Sequence, residues 1–157
     1  MHEVFDGRRT LKFDGALLAF STSYRPGRER WVEFSLFRTV GGTYILSRVG
    51  QTNQYHMPDC PVAERNGLNP TPRAALNPGG KACHSCRPDL EDSEQIAQEL
   101  PRYYAATCDN ADCIVESLYQ DDNAGSRYLT GVARRLLDEA SKVDEEIDRA
   151  YRVEIIL

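Results

Sequence analysis

With 157 residues, 41% hydrophobic and 9% aromatic, the chain is long enough for one ordinary domain of modest core size. No run reaches the roughly 18 to 20 apolar residues of a membrane span, and the polar opening "MHEVFDGRRTLKFDG" has the character of neither a signal nor a transit peptide. The formal net charge of -5 is unevenly spread: residues 1–90 carry 12 Lys and Arg against 8 Asp and Glu, residues 91–157 carry 7 against 16, so only the first part can offer nucleic acid a basic surface.

Residues 1–53 read as a β-sheet. "GALLAFSTSY", "RWVEFSLFRT" and "TYILSRVG" are rich in β-branched and aromatic side chains. Val32, Phe34 and Leu36 alternate with polar neighbours and make one apolar face. Trp31 and Phe37 fall on the opposite face, which then needs cover of its own. "RPGR" (Arg25 to Arg28) and "VGG" (Val40 to Gly42) supply turns. The expected result is an antiparallel meander of three strands, or four with "RTLKFD".

Residues 54–90 read differently. His56, Cys60, Cys83 and Cys86 stand as H-x3-C and C-x2-C pairs in a segment loaded with Pro and Gly. Thiolate and imidazole are preferred zinc donors, and a C-x2-C knuckle places two sulfurs on one ion with little strain. The residues between the pairs hold no long apolar run, so a metal crosslink supplies what the segment lacks. Four nitrogen and sulfur ligands close the site, whereas a catalytic zinc keeps a position for water or substrate. The zinc deaminase signature fails as well: Pro58 stands where its Glu would be, and Ala82 precedes Cys83. The reading is a structural zinc ion.

"YHMPDCP…AAL…GGKACHSCRPD" resembles the metal-binding domain of the Ada-type alkyl-phosphotriester DNA repair proteins. The resemblance covers residues 55–90 and rests on Tyr55, Pro58, Cys60, Ala75, Leu76, Gly80, Cys83, Cys86, Arg87, Pro88 and Asp89. In those repair proteins the first ligand is the Cys that accepts the methyl group, and here His56 holds that position. Zinc-bound imidazole is a poor acceptor beside an activated thiolate. The resemblance therefore implies a small zinc-binding fold without methyl transfer.

Residues 91–157 read as helices. "SEQIAQEL" starts at a Ser93 cap and stops before Pro101. "ADCIVESLYQ" puts Ile114, Val115, Leu118 and Tyr119 on one stripe. "SRYLTGVARRLLDEASKV" repeats Tyr128, Leu129, Val132, Leu136 and Leu137 at helical spacing. "DEEIDRAYRVEIIL" opens with acids where the helix dipole favours them, and these acids, from Asp144 to Asp148, read as helix-start and exposed charges. The fold class is α+β in one domain of 1–157: an N-terminal meander, a zinc-binding insertion, and C-terminal helices packing on the sheet.

The remaining residues leave function open. A cytoplasmic location is expected, which makes the five cysteines thiols or metal ligands rather than a disulfide framework. Cys108 and Cys113 read as a loop Cys and a helix-packing Cys, with a redox pair or a second metal site as alternatives. Arg25, Arg28, Arg30, Arg38, Arg48, Arg73, Lys81 and Arg87 are the candidates for phosphate contact, provided several share a face. No catalytic constellation stands out. The expectation is a non-catalytic zinc-containing interaction protein that binds a protein partner, nucleic acid or both, with no membrane. An accessory DNA-processing protein acting through the basic half, or an unrecognised nuclease or repair enzyme, are the alternatives.

Overall fold

The computed structural model describes residues 1–28, 30–52, 54–55, 81–82 and 101–152. Its strands, in chain order, are β1 (His2–Phe5), β2 (Thr10–Phe13), β3 (Gly15–Thr22), β4 (Arg30–Thr39), β5 (Tyr44–Thr52), β6 (Gln54–Tyr55), β7 (Lys81–Ala82), β8 (Arg102–Cys108), β9 (Gln120–Asp121) and β10 (Arg127–Tyr128). Among the described residues the helices are α1 (Ala111–Leu118), α2 (Gly131–Ser141) and α3 (Glu145–Arg152). The chain divides into two compact units. The first comprises Met1–Ser23, Val32–Val49 and Tyr103–Leu157, and the second Tyr24–Trp31 and Gly50–Arg102.

The expected meander is present, with helices packed on it. β3 and β4 pair antiparallel from Gly15 opposite Thr39 to Thr22 opposite Glu33, and the sheet runs in the order β3-β4-β5-β8. Its fourth strand is β8, within "RYYAATC", which lies in the part of the sequence read as helical. "RTLKFD" is not that fourth strand. Its β2 pairs with β1 in a separate antiparallel hairpin, His2 opposite Phe13 and Phe5 opposite Thr10. The hairpin turn is tied by Asp6, whose Oδ1 accepts the Arg8 and Arg9 N–H groups at 2.8 Å each. The N–H bonds from Arg9 and Arg8 hold that carboxyl below its usual range.

Alternation along the strands divides the apolar side chains between two cores. Phe34, Leu36, Tyr44 and Leu46 turn to the helices and join Ile114, Leu136, Leu137 and Ile147 in the larger one. Phe37 and Ile45 turn the other way, onto Val4, with Leu11 and Phe13 of the hairpin packed alongside. The second sheet face, which Phe37 required to be covered, is thus covered by β1 and β2.

One glycine is fixed by this packing. A methyl group on Gly15 would lie 2.2 Å from the Arg38 carbonyl oxygen and 2.7 Å from Thr39 Cα. Both are backbone atoms, which cannot swing aside as a side chain can. Gly15→Ala is expected to lose about 2–3 kcal/mol of stability and to lower Tm by roughly 5–10 °C. A thermal melt by circular dichroism within 1 °C or so of wild type would show that the strand pair yields here.

The helices form where caps and apolar stripes agree. Asn110 caps α1 by accepting the Cys113 N–H at 2.9 Å, and Ala111, Ile114, Val115 and Leu118 are buried. Thr130 caps α2 by accepting the Ala133 N–H at 3.3 Å. The sequence pattern places Tyr128 inside that helix, and the structure corrects this: Arg127–Tyr128 is β10, antiparallel to β9. The intervening turn needs left-handed backbone at Asn123 (φ 65°) and Gly125 (φ 83°), and Asp122 Oδ1 accepts the Ala124 and Ser126 N–H groups. At eight residues, α3 is too short to persist alone. Ile147, fully buried, pins it to the main core. The helix expected from Ser93 lies outside the described residues.

In the second unit, "RPGR" turns as expected. The Arg28 N–H donates to Arg25 O at 3.1 Å, and Gly27 takes φ +86° after Pro26, the arrangement of a type II turn. The rings of Tyr24 and Trp31 meet edge to face with centroids 4.9 Å apart. β6 and β7 form a two-residue parallel pair, Gln54 opposite Lys81 and Tyr55 opposite Ala82.

Candidate functional site

The four expected zinc ligands, His56, Cys60, Cys83 and Cys86, lie outside the described residues, as do Arg73 and Arg87. What is described is the backbone on which two of them follow. Tyr55 and Ala82 are register partners in parallel strands, and adjacent strands run about 4.8 Å apart. Among the described residues no group of three or more His, Cys, Asp or Glu side chains could hold a metal ion.

The arginines expected to meet phosphate are divided. Arg25, Arg28 and Arg30 are exposed around one turn in the second unit, and Lys81 opens β7. Arg48, in the first unit, is exposed with its guanidinium 5.9 Å from the centre of the Phe34 ring. Arg38 is already paired within its own chain. Its Nη1 donates to Asp144 Oδ2 at 3.0 Å and its Nη2 to Glu146 Oε1 at 2.9 Å, so both prongs are committed to carboxylates of its own chain.

Arg38 belongs to the most developed polar cluster of the first unit. The Tyr44 hydroxyl, fully buried, donates toward Asp144 Oδ1 and Oδ2 at 3.0 and 3.2 Å and lies 3.4 Å from Glu146 Oε2. The Arg38 guanidinium sits 4.9 Å from the Tyr44 ring centre. Asp144 Oδ1 also accepts the Ile147 N–H at 3.0 Å and so caps α3. The Asp144 carboxylate therefore accepts from a phenol, a guanidinium and a backbone amide, which nearly fills its capacity. Burial, and then the bond to Asp144, push the Tyr44 phenol well above its ordinary range. It is a fixed donor at neutral pH, and the cluster is built as a clamp between sheet and helix rather than as a reactive centre. The sequence conceals this role because Asp144 looks like any acid before a helix, whereas only 5% of its surface is exposed.

Cys108 and Cys113 are joined by a disulfide, the paired alternative rather than a loop Cys and a separate helix-packing Cys. The bond ties the end of β8 to the first turn of α1. An open groove of about 620 Å³ runs past Asp14–Ala16, Arg38–Val40 and Val143–Asp144. Another of about 430 Å³ lies between Phe20–Thr22 and the Arg135–Lys142 side of α2. Both are wide, open clefts rather than enclosed ligand pockets. No described helix is long and apolar enough to cross a membrane. No protein-family model, curated protein or solved structure matches the chain, so its function rests on the chemistry of its own residues.

Proposed function

We propose that the chain is a non-catalytic zinc-containing interaction protein in which His56, Cys60, Cys83 and Cys86 close around one structural zinc ion. The observation that carries this reading is the pairing of Tyr55 with Ala82. The residues that follow this pair in the sequence are His56 and Cys83, one from each ligand pair. Strands about 4.8 Å apart suit two donors that must each reach within about 2.0–2.3 Å of one ion. The resemblance to the Ada-type metal-binding domain supports the same ligand set, and His56 in place of the methyl-accepting Cys argues against repair chemistry. The acidic helical part is the surface for a protein partner. A cytoplasmic location fits the thiolate ligands, and requires the Cys108–Cys113 bond to be a transient one there.

Metal analysis with thiol titration tests the centre. Chain purified with zinc present is expected to carry one zinc per chain, and its absence overturns the reading. Nucleic acid is the second partner class, favoured by Arg25, Arg28 and Arg30 around one exposed turn beside the Tyr24–Trp31 pair. Basic residues with neighbouring aromatics suit a phosphate backbone and its bases. Binding to single-stranded DNA should weaken steeply as salt rises, and affinity indifferent to salt would refute phosphate contact.

A further inference from the structure

The Cys108–Cys113 bond joins two sulfurs in unlike surroundings. Cys108 ends β8, is only 6% exposed and belongs to the main core. Cys113, in the first turn of α1, is exposed to solvent. The bond adds little to a frame that stands without it. It joins residues five apart in sequence, and a crosslink constrains the unfolded chain least when its loop is short. β8 is held as a member of the four-stranded sheet, and the Asn110 side chain caps α1 on the Cys113 N–H. Ile114, Val115 and Leu118 bury the helix in the core. Sheet and helix thus remain in place when the bond opens, and they keep the two cysteines, whose Cα atoms lie 5.7 Å apart when joined, within reach of closing it again. The chain on either side carries one sign of charge. Asp109 and Asp112 are both exposed, and no Lys or Arg occurs from Tyr103 to Ser126.

We propose that this bond is a reversible thiol–disulfide centre, in which Cys113 meets external thiols and Cys108 resolves the adduct. Access decides which sulfur of a disulfide is attacked, and here the accessible residue is Cys113. An external thiolate attacks Cys113 Sγ. The bond to Cys108 breaks, and Cys108 leaves with the electron pair and takes up a proton. A second thiol then attacks the external sulfur of the mixed disulfide. Cys113 is released and protonated, and the two external thiols depart as one disulfide. The chain has gained two thiols, its partner has been oxidised, and the reverse sequence restores the bond. The acids at 109 and 112 assign the partner class: a neutral or cationic thiol, because an anionic one meets like charge. The inference is independent of the zinc reading, since neither cysteine belongs to the proposed ligand set.

The full chain, purified with zinc, can be equilibrated in cysteamine–cystamine buffers of rising reducing strength, quenched in acid, alkylated and read peptide by peptide by mass spectrometry. Cys108 and Cys113 should be joined at the oxidising end and free at the reducing end, with the same far-ultraviolet circular dichroism at both. The early mixed disulfide should lie on Cys113 in preference to Cys108 by at least about tenfold. Cys108→Ser, which lacks the resolving thiol, should accumulate that adduct, and Cys113→Ser should form about tenfold less. At matched thiolate concentration cysteamine, a cationic thiol, should open the bond several times faster than glutathione, an anionic one. The ratio should fall toward one in about 1 M salt. A bond that stays closed in the folded chain at the reducing end, or an adduct formed first on Cys108, overturns the proposal and leaves the disulfide a fixed staple. Equal rates for the two thiols at low salt overturn the partner class. Reading each peptide separately keeps the result apart from Cys60, Cys83 and Cys86, whose behaviour bears on the zinc reading alone. The wild-type series needs no variant, so a variant that fails to fold leaves the test intact.

Discussion

Asp144→Ala should be among the most destabilising single changes in the described part of the chain, at about 2–4 kcal/mol, from an unsatisfied buried hydroxyl, a lost helix cap and a weakened ion pair. Three losses coincide. The Tyr44 hydroxyl, fully buried, loses the closest of its acceptors. Arg38 loses one of two carboxylates, which matters less because Glu146 holds its other prong and is itself about half exposed. The Ile147 N–H loses its cap at the start of a helix too short to stand alone. For a chain of this size the shift in Tm is roughly 5–12 °C. Asp144→Asn separates the terms. An amide can still cap α3 and accept from Tyr44, but it cannot balance the guanidinium, and about 1–2 kcal/mol should go. Urea unfolding followed by circular dichroism reads both variants. If Asp144→Ala falls within about 0.5 kcal/mol of wild type, as an ordinary surface change does, the clamp does not hold the helix to the sheet.

The difficulty of seeing Asp144 beforehand explains much of what sequence can and cannot show. Periodic burial is a local property, and it is readable: Ile114, Val115 and Leu118, then Val132, Leu136 and Leu137, lie on the buried faces that their spacing implies. The start of α2 is misplaced by spacing alone because Tyr128 and Leu129 extend the same period. The Thr130 cap and the left-handed pair Asn123 and Gly125 outweigh that spacing. β8 escapes notice for a different reason. Its pairing in the sheet joins segments far apart in sequence, and a seven-residue strand beside Pro101 carries little signal of its own. Arg38 and Asp144 lie 106 residues apart, so no spacing rule can pair them. The proposed metal ligands are the reverse case. Their identities and spacing are legible in the chain, and the described structure adds only the register that precedes two of them.

That contrast makes His56 and Cys83 the sharpest pair of substitutions for the metal reading. On the zinc reading the ion is what orders this segment, whose sequence has no apolar run, and structural zinc supplies apparent binding energies of about 10–16 kcal/mol in small zinc modules. Cys83→Ser should therefore bring zinc content from one per chain to near none, and limited proteolysis should cut between residues 56 and 86 where the wild-type chain resists. His56→Cys should behave in the opposite way, because four thiolates suit zinc as well as three thiolates and an imidazole do. Zinc content should stay at one per chain, with protease resistance preserved. Cobalt substitution gives an independent reading, since a fourth thiolate should strengthen the sulfur-to-cobalt charge-transfer band relative to wild type. If Cys83→Ser keeps its zinc, the C-x2-C pair is not the anchor. If His56→Cys leaves the cobalt spectrum unchanged, position 56 is not a ligand, and the site is open where the function proposed above requires it closed.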